Sequence, residues 1–231
     1  MIRERLQAVE AEIEKARARR SREAADNPVQ LVAVTKNHGI EAMREAIDAG
    51  VTDIGENRIQ EAASKYEQLD RDVRWHLIGH LQTNKAKQAV RYFNLIHSID
   101  SQRLAQAVDS AAAHISKVQD VLIQVNLARE ESKSGVYREE LDEFERFVAA
   151  LPNLRLCGLM CIAPNYENVE ECRPIFREMH EIFLQLKEKK LPGANIVYLS
   201  MGMTHDYSIA VEEGANIVRV GTAIFGARQY N

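Results

Sequence analysis

Residues 31–57, LVAVTKNHGIEAMREAIDAGVTDIGEN, contain two short apolar runs on either side of a helical pattern. The runs at 31–36 and 53–57 have the length of buried strands, and residues 40–49 repeat apolar side chains at helical spacing. A strand, a helix and a second strand in this order are typical of parallel strands joined by a crossover helix. This stretch therefore predicts an α/β protein built on a parallel sheet.

The same alternation continues along the whole chain. Further strands are predicted at 74–80, 95–100, 118–127, 154–163, 195–201 and 216–225, with helices near 58–69, 83–91, 101–116, 137–150, 168–190 and 205–213. Eight such units in 231 residues fit a single (β/α)8 barrel of the TIM type better than an open sheet. The eighth helix is missing, and an extra N-terminal helix predicted at 2–24 is expected to fill the gap. Since no linker or repeat divides the chain, we expect one domain over residues 1–231.

Composition and charge narrow the class of protein. Hydrophobic residues make up 45% of the chain and charged residues 28%, as in ordinary globular proteins. The net charge of −4 argues against nucleic acid as the main partner. No apolar run approaches the roughly 20 residues that span a bilayer, and the charged N-terminal helix lacks the apolar core of a signal peptide. We therefore expect a cytoplasmic protein without a membrane partner, and nothing in the sequence demands a dimer.

Metal and disulfide sites are not predicted. Cys157, Cys161 and Cys172 are too few and too clustered for a disulfide framework, and they form no paired C-x-x-C motif. His76 and His80 are four residues apart, but within one predicted strand, where the helical zinc motif does not apply. We expect free thiols and no metal.

Lys36 is the first candidate for chemistry, because it closes the first predicted strand. In TIM-type barrels, functional residues stand at the carboxyl ends of the strands. A lysine that points inward there loses water, and a desolvated amine is neutral and attacks carbonyl carbons. The alternative is a lysine that has already reached solvent at the strand end.

The eighth predicted strand contains a second candidate. Alternation places Arg219 and Gly221 on one face of this strand, with Val218 and Val220 on the other. The valines suit the helix layer, so Arg219 is expected to point into the barrel, where an unpaired guanidinium is costly. It needs a polar ligand or a buried carboxylate, and a structural salt bridge is the alternative to ligand binding.

The segments at the ends of strands 7 and 8 indicate a phosphate site. Ser200 and Gly202, and likewise Gly221 and Thr222, offer backbone N–H groups and hydroxyls with little side chain in the way. These two loops are the recurrent phosphate site of the fold, and amides and hydroxyls suffice to hold the group. The residues by themselves therefore predict a carbonyl adduct on Lys36 near a phosphate site.

Six ordered blocks carry a family resemblance. They are VAVTK at 32–36, IGENR at 54–58, WHLIGHLQTNK at 75–85, GLM at 158–160, LSMGM at 199–203 and RVGTAIFG at 219–226. With these blocks the chain resembles, from end to end, the pyridoxal phosphate homeostasis proteins. No position in the blocks departs from the family pattern. The resemblance implies a barrel related to the N-terminal domain of alanine racemase.

The resemblance also implies a ligand and the residues that hold it. Lys36 would carry pyridoxal 5′-phosphate (PLP) as a Schiff base. The other implied contacts are Ser200, Met201, Gly221 and Thr222 at the phosphate, Asn57 near the ring and Arg219 near the pyridine nitrogen. The implied role is PLP homeostasis, as a carrier or regulator with PLP-dependent apo-enzymes as recipients. No established reaction comes with it, so no catalytic residue is assigned.

Two enzymatic alternatives are an amino-acid racemase and a class I aldolase. An arginine at the pyridine nitrogen weakens PLP as an electron sink, which excludes much PLP chemistry but not racemisation. Two-base racemisation needs an acid/base group on each face of the substrate, and alanine racemases supply the second from another domain and subunit, which is expected to be missing here. Tyr198, on the seventh strand, is the one residue considered for that place. An aldolase would leave Arg219 without a ring partner, so the carrier hypothesis is favoured.

Overall fold

Eight parallel strands close into a barrel in the computed structural model, which describes residues 1–20, 28–130 and 132–226. The strands are β1 (Gln30–Val34), β2 (Asp53–Glu56), β3 (Arg74–Leu77), β4 (Leu95–Ile99), β5 (Gln119–Val125), β6 (Leu154–Cys161), β7 (Ala194–Met203) and β8 (Ile217–Val220). Each strand pairs with its neighbours in sequence, and β8 pairs with β1, where Ala33 lies opposite Val220. The predicted TIM-type barrel is confirmed.

The helices follow the strands in turn. They are α1 (Ile2–Ala18), α2 (Ile40–Asp48), α3 (Ile59–Gln68), α4 (Ala86–Tyr92), α5 (Gln102–Ala113), α6 (Leu141–Ala149), α7 (Arg173–Glu188), α8 (Tyr207–Glu212) and α9 (Thr222–Phe225), with 3₁₀ turns at Thr83–Lys85 and Val169–Cys172. The extra helix α1 contacts α2, α8 and α9, so it fills the gap left by the missing eighth helix, as expected. The predicted end of this helix at residue 24 lies outside the described residues.

Several strand ends differ from the prediction, and three of these differences move a candidate residue. β1 ends at Val34, so Lys36 lies in the turn that follows. β7 extends to Met203, which places Ser200 within the strand instead of at its end. The prediction that strand 8 runs to residue 225 is wrong. The carbonyl of Gly221 accepts the amides of residues 224 and 225 and so begins the single turn of α9.

The barrel interior is only partly apolar. One small cluster lies apart from the main hydrophobic core; its buried members are Val32, Leu95, Leu122, Cys157, Met160 and Ile217. Buried polar side chains accompany it on the inward faces of β2, β3, β4, β7 and β8. Burying a polar group is costly unless it is hydrogen-bonded. The hydrogen-bond partners of these side chains are therefore described below with the candidate site.

The structure also bears on the cysteine and membrane expectations. Cys157, Cys161 and Cys172 are buried and free. No helix in the described ranges is both long and apolar enough to cross a bilayer. In the same ranges, no group of three or more His, Cys, Asp or Glu side chains is placed to hold a metal ion.

Candidate functional site

Lys36 and Asn57 line one cavity at the carboxyl ends of β1 and β2. Its volume is about 190 Å³, and Asn37, Arg58 and Glu61 complete its lining. Lys36 is half-buried. The turn is tight, since Asn37 has a φ of 63°, a left-handed conformation that asparagine tolerates, and its backbone N–H donates to Glu61 Oε1 at 2.6 Å. Two residues that the sequence predicted for the site are therefore neighbours.

A buried ion pair behind this turn holds the backbone next to Lys36. Lys65 Nζ donates to Glu56 Oε1 and to Glu61 Oε1, both at 2.7 Å. It also donates to the carbonyl of Thr35 at 2.7 Å, and the Thr35 hydroxyl donates to Glu56 Oε1 at 2.5 Å. Burial raises the pKa of Glu56, while the charge of Lys65 opposes that shift. The residue before Lys36 is thus fixed through both its carbonyl and its side chain.

Thr204, Gly221 and Thr222 bring hydrogen-bonding groups together beside the end of β1. The Gly221 backbone N–H and the Thr222 hydroxyl each lie 3.3 Å from Thr204 Oγ1. A Cβ added at Gly221 would lie 3.4 Å from Val34, the last residue of the strand that leads to Lys36. Thr222 is exposed and Thr204 is half-buried. Sequence reasoning missed Thr204, although its place directly after β7 is in one of the two loops that hold phosphate in this fold.

Ser200 and Met201 lie deeper than the sequence suggested. Both are fully buried within β7. The Met201 side chain packs in the main core, so any contact with a ligand at the barrel mouth has to come from its main chain. Ser200 points into the barrel, where its Oγ lies 2.9 Å from His97 Nδ1. Gly202 has a φ of 93°, and a Cβ there would lie 2.6 Å from the Ala210 Cβ, so glycine is needed for α8 to pack against β7.

Arg219 lies inside the barrel with 3% of its surface exposed. Its Nη1 donates to Ser200 Oγ at 2.7 Å, and its Nη2 donates to the carbonyl of Cys161 at 2.9 Å. Burial lowers the pKa of Arg219. Val218 and Val220 lie in the main core, as alternation predicted. Within the described part of the chain no carboxylate forms an ion pair with Arg219, so the salt-bridge alternative has no support there. A hydroxyl and a main-chain carbonyl accept from it instead.

Tyr198 lies at the other end of the barrel from Lys36. It lines a cavity of about 710 Å³ together with Gln30, Arg74 and Asn216, which stand at the amino ends of their strands. It also packs against the apolar interior cluster. Tyr198 therefore does not supply the acid/base group that the racemase hypothesis needs on the face opposite Lys36.

Nearly the whole chain matches a known family. The family model described as "Alanine racemase, N-terminal domain" matches residues 6–229. The pyridoxal phosphate homeostasis protein of Aquifex aeolicus is 44% identical over 228 residues, which are 98% of each chain. The chain belongs to the pyridoxal phosphate homeostasis proteins. The resemblance of the six sequence blocks is thereby confirmed.

A solved structure supports the same relationship. PipY of Synechococcus elongatus, solved without PLP, is 36% identical to this homeostasis-family chain, with a TM-score of 0.86. The comparison covers 98% of this chain and 100% of that one. The structure of PipY with PLP bound has a TM-score of 0.82, and the comparison again covers 98% of this chain and 100% of that one.

Replacing Lys65 by methionine is expected to lower the free energy of unfolding by about 3–5 kcal/mol at neutral pH, because Glu56 stays buried without its cation. The loss should be smaller at mildly acidic pH than at neutral pH. A carboxyl whose folded-state pKa is raised takes up its proton in the folded chain first, so its destabilising effect grows as the pH rises. Urea unfolding at the two pH values measures both effects.

The double variant Glu56→Gln/Lys65→Met is the matched control, since the amide carries no charge that needs a cation. It should recover most of the lost stability and show no such pH dependence. An equal loss at both pH values, with no recovery in the double variant, would contradict the role given to this pair.

Proposed function

We propose that this chain binds PLP as a Schiff base on Lys36 and serves PLP homeostasis in the cytoplasm as a carrier or regulator. The observation that carries the proposal is the placement of Lys36. It is half-buried in the cavity that Asn57 lines, two residues after the strand whose last residue adjoins Gly221. When bound, PLP supplies an aldehyde for the lysine amine and an electron-withdrawing ring. Relatives named as pyridoxal phosphate homeostasis proteins support the role.

The residues present fit the phosphate of PLP. The Gly221 N–H and Thr222 Oγ1 each lie 3.3 Å from Thr204 Oγ1. The Thr222 side chain is exposed and that of Thr204 is half-buried. Such a group holds a phosphate dianion by hydrogen bonds alone, without a cluster of basic side chains. We assign the phosphate to these groups, with the main chain of Ser200 and Met201 beneath them.

Arg219 fits the ring of PLP. A guanidinium only donates hydrogen bonds, so next to the pyridine nitrogen it leaves that atom unprotonated. An unprotonated ring withdraws electrons weakly and disfavours most PLP-dependent reactions. Asn57, which lines the same cavity as Lys36, is assigned to the edge of the ring near that lysine.

A carrier explains the site better than a catalyst does. Lys36 serves one face of a bound amino acid, and Tyr198, the residue considered for the other face, stands at the far end of the barrel. We infer that the protein holds PLP and yields it to PLP-dependent apo-enzymes, acting as a single-domain monomer.

Lys36→Ala is expected to abolish the visible absorbance of bound PLP and to leave the fold intact. The amine that forms the Schiff base is lost, while the Lys65–Glu56 pair that holds the turn remains. Borohydride reduction of the wild-type protein with PLP, followed by peptide mapping, locates the modified lysine. Lys87→Ala, at an exposed position of α4, is the control and should retain the absorbance. A pyridoxyl group on another lysine would overturn the assignment.

Thr222→Val is expected to raise the dissociation constant of PLP about ten- to a hundredfold, because a hydrogen bond to a charged group is worth about 1.5–3 kcal/mol. Pyridoxal, which lacks the phosphate, is the matched control ligand, and its affinity should stay the same. Absorbance titration measures both constants. Equal weakening for the two ligands would place Thr222 away from the phosphate.

The protein loaded with PLP is expected not to racemise amino acids at an enzymatic rate. A missing acid/base group costs about 10²- to 10⁴-fold, which leaves slow exchange on one face only. The test is incubation with L-alanine in deuterated water, followed by chiral analysis and by deuterium at Cα, with free PLP as the blank. Retained chirality is expected. Racemisation with a kcat near 10 s⁻¹, about the median for enzymes, would make the protein a racemase.

A further inference from the structure

A chain of hydrogen bonds crosses the barrel interior and ends at Arg219. Asp53 Oδ1 lies 2.8 Å from His76 Nε2, and His76 Nδ1 lies 2.9 Å from His97 Nε2. His97 Nδ1 lies 2.9 Å from Ser200 Oγ, which accepts from Arg219 Nη1 at 2.7 Å. Each of these side chains belongs to a residue at most 3% exposed. We call this chain the Asp53–Arg219 relay; it joins a buried carboxylate to a buried guanidinium.

The carboxylate end of the relay is ionised. Asp53 accepts from the side chains of Gln30 at 2.6 Å, Thr52 at 2.7 Å and Arg74 at 2.8 Å. Although burial raises it, hydrogen bonds from His76, Arg74 and Thr52 lower the pKa of Asp53 to about 2. An ionised carboxylate only accepts, so the hydrogen of His76 must be on Nε2.

That constraint sets every other proton of the relay. With Nε2 of His76 protonated, neutral His76 accepts at Nδ1, and His97 has to donate from Nε2. Neutral His97 then accepts at Nδ1, so the Ser200 hydroxyl donates to it. The same hydroxyl accepts from Arg219, which can only donate. The carboxylate and the guanidinium therefore require the same order of donors and acceptors along the relay. The Gln30 amide nitrogen, 3.5 Å from His76 Nε2, gives its hydrogen to Asp53 Oδ1 instead.

The alternative, in which His76 carries hydrogens on both nitrogens, is less stable because it adds a buried charge and leaves one hydrogen bond unmade. A protonated His76 would force His97 to carry its hydrogen on Nδ1, facing a Ser200 oxygen that already accepts from Arg219. The Ser200 hydrogen would lose its acceptor, and a second positive charge would lie in the interior. Burial lowers the pKa of His97 well below its usual range.

We propose that Asp53, His76 and His97 are positioning residues for Arg219. They hold both imidazoles as neutral Nε2–H tautomers, which makes Ser200 an acceptor and locks the guanidinium in one orientation. Only the last step rests on the proposed function, namely that the locked guanidinium faces the pyridine nitrogen of PLP. The tautomers are a property of the chain itself.

Long-range ¹H–¹⁵N NMR of the imidazoles in the purified full chain tests the relay directly. The expected result is a protonated Nε2 and an unprotonated Nδ1 at both His76 and His97, before and after PLP is added. Arg74→Gln serves as the matched control. It removes an exposed partner of Asp53 but keeps the carboxylate, so both tautomers should persist. An imidazolium, or an Nδ1–H tautomer at either histidine in the wild type, would overturn the proposal.

His97→Phe tests the positioning of Arg219. It is expected to weaken PLP binding about tenfold or more, as for a lost hydrogen bond to a charged group, and to shift the absorbance of bound PLP. His97→Gln retains a donor and an acceptor and should restore most of the affinity, while His114→Phe, at an exposed site on the outside of the barrel, should change neither. Wild-type affinity and absorbance in His97→Phe would overturn the positioning role.

PLP binding at Lys36 and the tautomers of the relay can be disproved independently. If wild-type Lys36 is not labelled by PLP and borohydride while the histidines show the expected tautomers, the proposed function fails and the relay stands. If Lys36 is labelled but the tautomers differ from those expected, the relay fails and PLP binding stands.

Discussion

The interior of this barrel depends on keeping the Arg219 guanidinium charged while it is withdrawn from water. Removing a cation from water costs several kcal/mol unless its donors find acceptors, and no carboxylate in the described ranges pairs with it directly. Ser200 and the carbonyl of Cys161 supply two acceptors, and the relay connects the first of them to Asp53. Polar side chains on four other strands thus form a continuous hydrogen-bonded connection to this one charge.

The candidate site lies at the seam where the barrel closes. β1 and β8 are the first and last strands, and their pairing places Ala33 opposite Val220. Lys36 follows the first strand by two residues, and Gly221 directly follows the last. Barrel closure thus brings together a lysine and a loop that are far apart along the chain. A site of this kind exists only in the folded protein. Ligand binding at Lys36 therefore requires that β1 and β8 are paired.

Buried carboxylates support both basic residues of the candidate site. Behind the Lys36 turn, Glu56 at the end of β2 and Lys65 of α3 form a buried pair. Behind Arg219, Asp53 stands at the opposite end of the barrel interior. Glu56 and Asp53 are buried and do not line the cavity at Lys36. The carboxylate that does line it, Glu61, is paired with Lys65.

Local patterns in the sequence were enough to predict the order of the eight strands. They also predicted that Lys36 lies near the carboxyl end of β1 and that Arg219 points into the barrel. Each follows from a period of two or 3.6 residues, which the chain expresses within a short window. The tertiary structure alone decided that Ser200 and His97, 103 residues apart, share a hydrogen bond, that Thr204 joins Gly221 and Thr222, and that Tyr198 stands at the wrong end for catalysis. These outcomes depend on which strands become neighbours and in which register, and no local period carries that information.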